Sequence, residues 1–333
     1  MFAHAIASIL EHHCTPAAVR AIDNGASAQP LFNALSQAGF LELLAPQQDG
    51  GGGASWPEFF EVVLLCGAYA VPLPLAQTMA ARLLTANPHS LPEGSIAFAP
   101  ALQRCADGSL QALHVPCART ASSVIGALDD GLLLLPIDRA HQLPGGVPGS
   151  LSACLHWPAD SARILPAAVP ADTLAPLAAL LHAGLLAGAM KRCFDLSLTY
   201  ANERVQFGKP IGKFQAIQHL LSVMAEQVAA GRMAAESAFH SATRMPAVAA
   251  CAVAKARTSE AAQSVASTAH AVHGAIGVTA QYDLQLFTRR LHEWRVAYGS
   301  EAYWHRVLGR LLIDSSQPHT VDFVRLLSQA PPV

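Results

Sequence analysis

A cation, an amide, an aromatic ring and a glycine lie close together in the segment RVQFG, Arg204–Gly208. An arginine can hold a phosphate through two parallel N–H donors. Gln206 offers a hydrogen-bond donor and an acceptor, and Phe207 offers a flat apolar surface. Gly208 permits a bend or a close backbone approach. The spacing predicts a loop that grips a phosphorylated, aromatic cofactor, although a helix–turn–helix corner with a solvated arginine has the same composition.

The surrounding segment is one of three ordered stretches that resemble the acyl-CoA dehydrogenase family of flavoproteins. Arg204 to Leu221, RVQFGKPIGKFQAIQHLL, resembles the family signature, and Ala271 to Arg290, AVHGAIGVTAQYDLQLFTRR, resembles its downstream segment. Leu31 to Gly53, LFNALSQAGFLELLAPQQDGGGG, resembles the family's opening helix pair and the turn that follows it. The resemblance spans residues 31 to 310 and implies an N-terminal helical domain, a middle β domain and a C-terminal four-helix bundle.

The order of periodic segments also predicts a mostly α fold with a small central β domain. Residues 1–92 contain helical patterns at 31–44, 56–69 and 75–84. Residues 93–168, a reduced β domain, contain short apolar runs bounded by Gly, Pro and Asp, which are typical of strands. These runs are SIAFAPAL, SLQALHVP, SSVIGALDD, GLLLLPID and CLHW. Residues 169–333 return to helical patterns at 178–202, 211–242, 248–270, 282–290 and 301–313.

The resemblance implies a shared FAD site. In the family, the RxQFG segment reaches across a dimer interface to the pyrophosphate and adenosine of the FAD that the neighbouring chain holds. The segment HGAIG would bring its backbone close to the same cofactor, although Ala271 and Ala275 replace the family's glutamine and second glycine. A packing corner that has lost its cofactor is the alternative. The residues that the resemblance assigns to FAD are Arg204, Gln206, Phe207, Ile211, Phe214, Ile217, His273 and Gly274.

The same resemblance leaves this chain without a proton-abstracting glutamate. The family uses a carboxylate to remove the α-proton of the substrate while the flavin takes the β-hydride. One family position for this glutamate directly follows Tyr298 and is Gly299; the other, counted back from Arg204 without gaps, is Ala178. Glu301 is the remaining candidate, but an acid at a helix start commonly serves the helix dipole. We therefore expect no catalytic residue on this chain.

The middle segment also departs from the family, because nothing like its TEPxxGSD stretch, which helps to hold the flavin ring, occurs between residues 95 and 166. Three functions stay open. The chain is a non-catalytic subunit that lends residues to FAD on a catalytic partner, a self-sufficient homo-oligomer that uses Glu301, or a flavin-free scaffold. We favour the first, in an α2β2 heterotetramer of the kind that degrades steroid side chains in bacteria. The partner would bind the acyl-CoA, and an electron-transfer flavoprotein would accept the electrons.

The composition excludes several other classes of protein. With 52% hydrophobic and 13% charged residues in 333, the chain is apolar enough to bury surface against another chain. Its 21 basic and 23 acidic residues give no reason to expect nucleic acid as a partner. No uninterrupted apolar run reaches the length of a membrane span, so we expect no membrane insertion. Seven scattered cysteines without a CxxC pair, and no apparent signal peptide or metal motif, predict a cytoplasmic protein with free thiols.

Overall fold

The computed structural model describes residues 2–129, 131–147, 149–317 and 319–328. The fold is mostly helical with small sheets, which confirms the predicted fold class. The chain forms two compact units. The first reaches Val62 and resumes over Val71–Leu181, and the second comprises Val63–Ala70 and the chain from His182 onward. The predicted domain boundaries at residues 92 and 168 stay predictions.

The helical part of the first unit differs from the prediction in two ways. Two helices, Phe2–His13 and Pro16–Asp23, were not among the predicted ones. The helix expected over 31–44 ends at Gln37, because Gly39 takes a positive φ of 76° and Phe40–Glu42 forms a single 3-10 turn. This turn places Phe40 and Leu41 in the core, so their apolar character reflects burial and not a continuing helix. The helices are α1 Phe2–His13, α2 Pro16–Asp23, α3 Gln29–Gln37, α4 Trp56–Ala68 and α5 Leu75–Leu84.

Two four-stranded sheets complete the first unit. Their strands are β1 Ile96–Ala99, β2 Gln103–Arg104, β3 Leu110–Val115, β4 Ser123–Leu128, β5 Gly131–Pro136, β6 His141–Pro144, β7 Ala153–Trp157 and β8 Arg163–Ile164. One sheet has the order β1-β4-β5-β8, with β1 and β4 parallel, and the other is antiparallel in the order β2-β3-β7-β6. The five predicted strands are β1, β3, β4, β5 and β7. The three unpredicted strands are short and mostly exposed, so they lack the apolar pattern that reveals a strand.

Side chains from both sheets share one hydrophobic cluster, which explains why short strands suffice here. Trp157 is fully buried in it, and its indole N–H donates to the Pro136 carbonyl at 2.9 Å.

The second unit is a bundle of long helices around α8. Helix α6, Leu174–Glu203, leads into it and is followed by a hairpin of β9 Val205–Gln206 and β10 Lys209–Pro210. Helix α7 begins at Gln215 and not at the predicted residue 211, because Ile211–Lys213 forms a 3-10 turn and Phe214 is extended. Helix α8 is buried on most of its faces, which its many alanines permit, and it contacts α7, α9 and α10. The remaining helices are α7 Gln215–Phe239, α8 Val248–His273, α9 Leu284–Val296, α10 Glu301–Ile313 and α11 Thr320–Ser328.

One segment is long and apolar enough to cross a membrane by length and composition. It covers Ala171–Glu203, with a mean hydropathy of 1.6 in its most apolar window, but 89% of that window is buried inside the structure. Such burial is typical of the core helix of a folded bundle.

Candidate functional site

The RVQFG segment folds into a tight two-residue hairpin at the end of α6. Phe207 and Gly208 form its turn, with φ values of +52° and +79°. Two successive positive φ angles are the signature of a type I′ turn, the form that matches the twist of paired strands. Backbone hydrogen bonds fix the base of the hairpin, since the Arg204 amide donates to Tyr200 and the Ile211 amide donates to Arg204, both at 2.8 Å. The hairpin is therefore a preformed projection.

Phe207 is presented to the surroundings by this hairpin. Its side chain is 90% exposed, although the left-handed backbone region is unfavourable for a bulky residue. Its ring meets the edge of Phe214 at 6.2 Å between centroids, and the Lys209 ammonium lies 4.3 Å from the centre of the Phe214 ring. Most of the Phe207 ring is therefore available for contact with a ligand or another chain.

Arg204 and Gln206 flank the turn with free polar groups. Both side chains are exposed. Within the described parts of the chain, the Arg204 guanidinium makes no ion pair, and neither side chain makes a hydrogen bond. The hairpin thus offers a guanidinium fork, an amide and a flat ring at once.

Ile211, Phe214 and Ile217, which the resemblance also assigns to FAD, lie at the base of the hairpin and at the start of α7. Ile211 and Ile217 are half-buried against a small cluster that includes Leu221 and Val272, and Phe214 is also half-buried. Their buried faces hold the hairpin on the bundle, and their exposed faces continue its surface.

His273 and Gly274 are placed differently from each other. The His273 side chain is buried, stacks on Tyr200 at 4.5 Å and lies 5.2 Å from the Tyr282 ring. Its Nδ1–H donates to the Ala269 carbonyl at 2.8 Å, and its Nε2 has no partner among the described residues. Burial lowers the pKa of His273, so the ring is neutral near pH 7. Gly274 is exposed with a φ of +63°, so the backbone after the histidine is the accessible part.

The predicted base position in the α9–α10 turn is closed. Gly299 has a φ of +98°, and a Cβ atom there would lie 2.6 Å from Tyr303 Cδ1 and 2.8 Å from Trp304 Nε1. Distances below 3.0 Å force a neighbour to move. The Trp304 indole donates to the Tyr298 carbonyl at 3.0 Å, which holds one of these neighbours in place. A side chain at the position where the resemblance expects glutamate would therefore have to displace at least one of these neighbours.

The other two candidate positions offer no free base. Ala178 is fully buried in α6 and carries no ionisable group. Glu301 is held by Arg295, whose Nη2 and Nε lie 2.5 and 3.1 Å from the two carboxylate oxygens. The hydrogen bond from Arg295 lowers the pKa of Glu301, and a carboxylate with a lowered pKa is a poorer base.

The chain resembles known proteins over most of its length. Residues 173–312 match the family described as acyl-CoA dehydrogenase, C-terminal domain. Acyl-CoA dehydrogenase IpdE2 from Mycolicibacterium smegmatis is 30% identical over 304 residues, which cover 86% of this chain and 90% of that protein. The chain belongs to the acyl-CoA dehydrogenase family. Its relatives in this family are oxidoreductases that act on CH–CH groups and bind FAD.

Solved structures of other proteins share the fold of this chain. A chain of the ChsE4-ChsE5 complex from Mycobacterium tuberculosis has a TM-score of 0.78 at 21% identity, over 95% of this chain and 97% of that one. A chain of Tcur3481-Tcur3483, described as a steroid ACAD variant, has a TM-score of 0.72 at 21% identity, over 92% and 95% of the two chains.

Two buried side chains beside the α9–α10 turn were not expected from the sequence. His182, one helical turn beyond Ala178, is buried and meets the Tyr298 ring edge-on at 4.7 Å. Lys255 is fully buried in α8 and donates to the Gly299 carbonyl at 2.9 Å. In the sequence, Lys255 lies inside an alanine-rich helical pattern. A lysine in such a pattern is normally expected at the surface, so its burial could not be predicted.

Proposed function

We propose that this chain is the non-catalytic subunit of a heteromeric acyl-CoA dehydrogenase. It lends Arg204, Gln206 and Phe207 to an FAD that a catalytic partner chain holds. The observation that carries the proposal is the contrast between an open hairpin and a closed base position at Gly299. A self-sufficient enzyme needs both, whereas a helper subunit needs only the hairpin.

The hairpin fits the phosphate side of FAD on its own chemistry. An unpaired guanidinium can grip a phosphate through two N–H donors, and an exposed ring can cover a flat heterocycle. Lys209 and Lys213 are exposed nearby, so the local charge favours an anion. The bound flavin would supply the acceptor for the substrate's β-hydride. The residues of this chain would bind and orient the cofactor and would move no proton.

A catalytic subunit is the partner that this surface requires. Because the base turn is closed, we assign the proton-abstracting glutamate and the acyl-CoA to the partner chain. The similar ChsE4-ChsE5 structure is a complex of two different proteins, which supports an α2β2 assembly here. An electron-transfer flavoprotein is the proposed electron acceptor. The seven cysteines form no disulfide bond, in keeping with a reducing cytoplasm.

The proposed acyl group is bulky, and a steroid side chain is the favoured class. The support is the steroid ACAD whose fold this chain shares. In this proposal the hairpin contacts FAD and not the acyl group, so the partner chain would determine the substrate specificity.

Co-expression with a full-length homologue that carries a base glutamate tests the proposal. The chain alone should be colourless and inactive toward acyl-CoA substrates. The pair should give a yellow complex with fewer FAD molecules than chains, and it should reduce an electron acceptor in the presence of acyl-CoA. A yellow and active homo-oligomer with one FAD per chain contradicts the proposal in favour of a self-sufficient enzyme. A stable pair in which the chain makes no difference to flavin content would identify it as a scaffold.

A further inference from the structure

Lys255 is a fully buried cation whose partners hold the α9–α10 turn at both of its ends. Its Nζ donates to the Arg295 carbonyl at 2.7 Å and to the Gly299 carbonyl at 2.9 Å. The third contact is Ser259 Oγ, one helical turn away on α8, at 2.9 Å. An ammonium has three N–H donors, and all three are used. A buried lysine is rare unless it is paired, so this arrangement indicates a specific role.

Ser259 completes the arrangement because it can act in two ways. Its Oγ lies 2.9 Å from the Lys255 Nζ and 3.1 Å from the Arg295 carbonyl. When the lysine is charged, the hydroxyl accepts from Nζ and donates to Arg295. When the lysine is neutral, the same hydroxyl can donate to the nitrogen lone pair, and the two remaining N–H groups still reach both carbonyls. Both charge states therefore leave the lysine hydrogen-bonded.

We propose that Lys255 is the positioning residue of this turn, with Ser259 exchanging donor and acceptor roles so that the turn stays closed in either charge state. The lysine touches neither a ligand-binding side chain of the hairpin nor a catalytic group, and it acts through the backbone of residues 295–299. This inference does not depend on the proposed lending of FAD contacts. Its consequence is that α8 helps to hold the closed conformation at Gly299, in addition to the turn's own contacts.

The charged and titratable groups around Lys255 come from three elements. Burial lowers the pKa of Lys255 to about 7, Glu301 on α10 opposes this shift, and Arg295 on α9 adds to it. Arg295 and Glu301 are themselves an ion pair, so their charges largely offset each other. His182 on α6 faces the turn through Tyr298.

Hydrogen exchange on the full chain tests the role of Lys255. The amides of Ala297 and Trp304 close the two ends of the turn by donating to Glu293 and Ser300. Lys255→Met keeps an unbranched side chain that is one atom shorter but removes its donors, and we expect these two amides to lose protection by about ten- to hundredfold. The Ile211 amide of the hairpin should keep its protection.

Arg257 provides the matched control, because it is a cation on the same helix whose partners are Glu260 and Gln227 instead of the turn. Arg257→Met should leave the protection of Ala297 and Trp304 unchanged. Ser259→Ala should cause a smaller loss than Lys255→Met, since the two carbonyl contacts survive. Equal loss in Arg257→Met and Lys255→Met, or no loss in Lys255→Met, overturns the proposal.

A pH series on the unmodified chain gives a second readout that does not require any variant to fold. In the open turn the solvated lysine has its ordinary pKa, so between about pH 7 and that value the open state binds more protons than the closed one. Opening of the turn therefore becomes less favourable as pH rises. The protection of its amides against hydrogen exchange, corrected for the intrinsic exchange rate, should grow by up to about tenfold per pH unit. Flat protection between pH 7 and 9 would mean that the lysine stays charged in the closed turn, and it contradicts the exchange of donor and acceptor roles at Ser259. In a folded Lys255→Met variant the slope should disappear, and persistence of the same slope there contradicts it as well.

Discussion

The hairpin at Phe207–Gly208 and the turn at Tyr298–Gly299 share one backbone signature. Each is an aromatic residue followed by glycine, and all four φ angles are positive, at +52° and +79° in the hairpin and +55° and +98° in the turn. The surroundings differ completely. Phe207 projects outward, whereas Tyr298 contacts the buried His182 ring and its carbonyl accepts a hydrogen bond from Trp304.

The difference teaches that strain alone does not identify a binding site. In the turn, the unfavourable backbone of Tyr298 is offset by contacts inside the same unit, so the strain serves packing. In the hairpin, the contacts with Phe214 leave most of the Phe207 ring uncovered, so the compensation has to come from a ligand or another chain. Changes at the two sites should therefore separate stability from binding.

The largest expected effect is on the stability of the closed turn. Gly299→Ala adds a Cβ to a residue with positive φ and places it against Tyr303 and Trp304, so we expect a loss of about 1–3 kcal/mol in the free energy of unfolding. Urea denaturation measures it. Gly309→Ala in α10 is the control, because no atom lies within 4 Å of the new Cβ and a helical alanine is favoured by about 1 kcal/mol.

A double-mutant cycle locates the cause of this loss. Adding Tyr303→Ala should recover part of it, because the new Cβ then has one neighbour fewer. Independent, additive effects of the two substitutions would show that the strain lies in the backbone or against Trp304, and not against Tyr303.

Binding at the hairpin should respond next. Arg204→Ala removes the guanidinium fork from the proposed complex, and we expect the FAD dissociation constant to rise roughly ten- to hundredfold with folding unaffected. Flavin retention on dialysis measures the change. Lys213→Ala removes another exposed cation of the same segment and should have a smaller effect. Equal flavin retention in the unmodified and Arg204→Ala complexes would make Arg204 a solvated corner residue.

Phe207 should show opposite effects on stability and binding. Phe207→Asn places a residue that tolerates the left-handed region at the tip of the hairpin, and we expect the isolated chain to gain about 1 kcal/mol of stability. The same change should weaken flavin retention by the complex. Val205→Asn is the control, since Val205 is exposed on the same hairpin without a positive φ, and it should not stabilise the chain. A destabilised Phe207→Asn chain would mean that Phe207 already has its compensating contacts.

The smallest effect is expected at Glu301. Removal of a general base lowers turnover by roughly 10²–10⁴-fold, but Arg295 lowers the pKa of Glu301 and holds both of its oxygens. Glu301→Gln should therefore change the turnover of the complex by less than about tenfold. A loss of two decades or more, with flavin content and assembly unaltered, would make this chain the enzyme.

The sequence predicted the helices and strands whose patterns are long or strongly apolar. The prediction was wrong where apolar residues lie in a 3-10 turn or in an extended segment instead of an α-helix. The apolar spacing of Phe40 and Leu41 suggested a helix, although those side chains are buried by a 3-10 turn. Ile211 suggested the start of α7, although the extended backbone at Phe214 sets the first helical residue.

The candidate site was only partly accessible to sequence reasoning. The types and order of Arg204, Gln206 and Phe207 suggested a ligand contact, and the missing carboxylate at Gly299 could be read directly. The obstruction at Gly299 could not be read, because it depends on where α10 places Tyr303 and Trp304. Lys255 was missed because its three acceptors lie far apart in the sequence. They are the Arg295 carbonyl, the Gly299 carbonyl and the Ser259 hydroxyl.

The obstruction at Gly299 also constrains the evolutionary history open to this protein. A single codon change can convert glycine to glutamate, yet such a variant would meet two aromatic rings and a backbone conformation that disfavours side chains. A carboxylate at residue 299 would therefore need compensating changes at Tyr303 and Trp304, and the early steps would yield less stable chains. If the proposed function is correct, the dependence of this chain on a second protein would be hard to reverse by single substitutions.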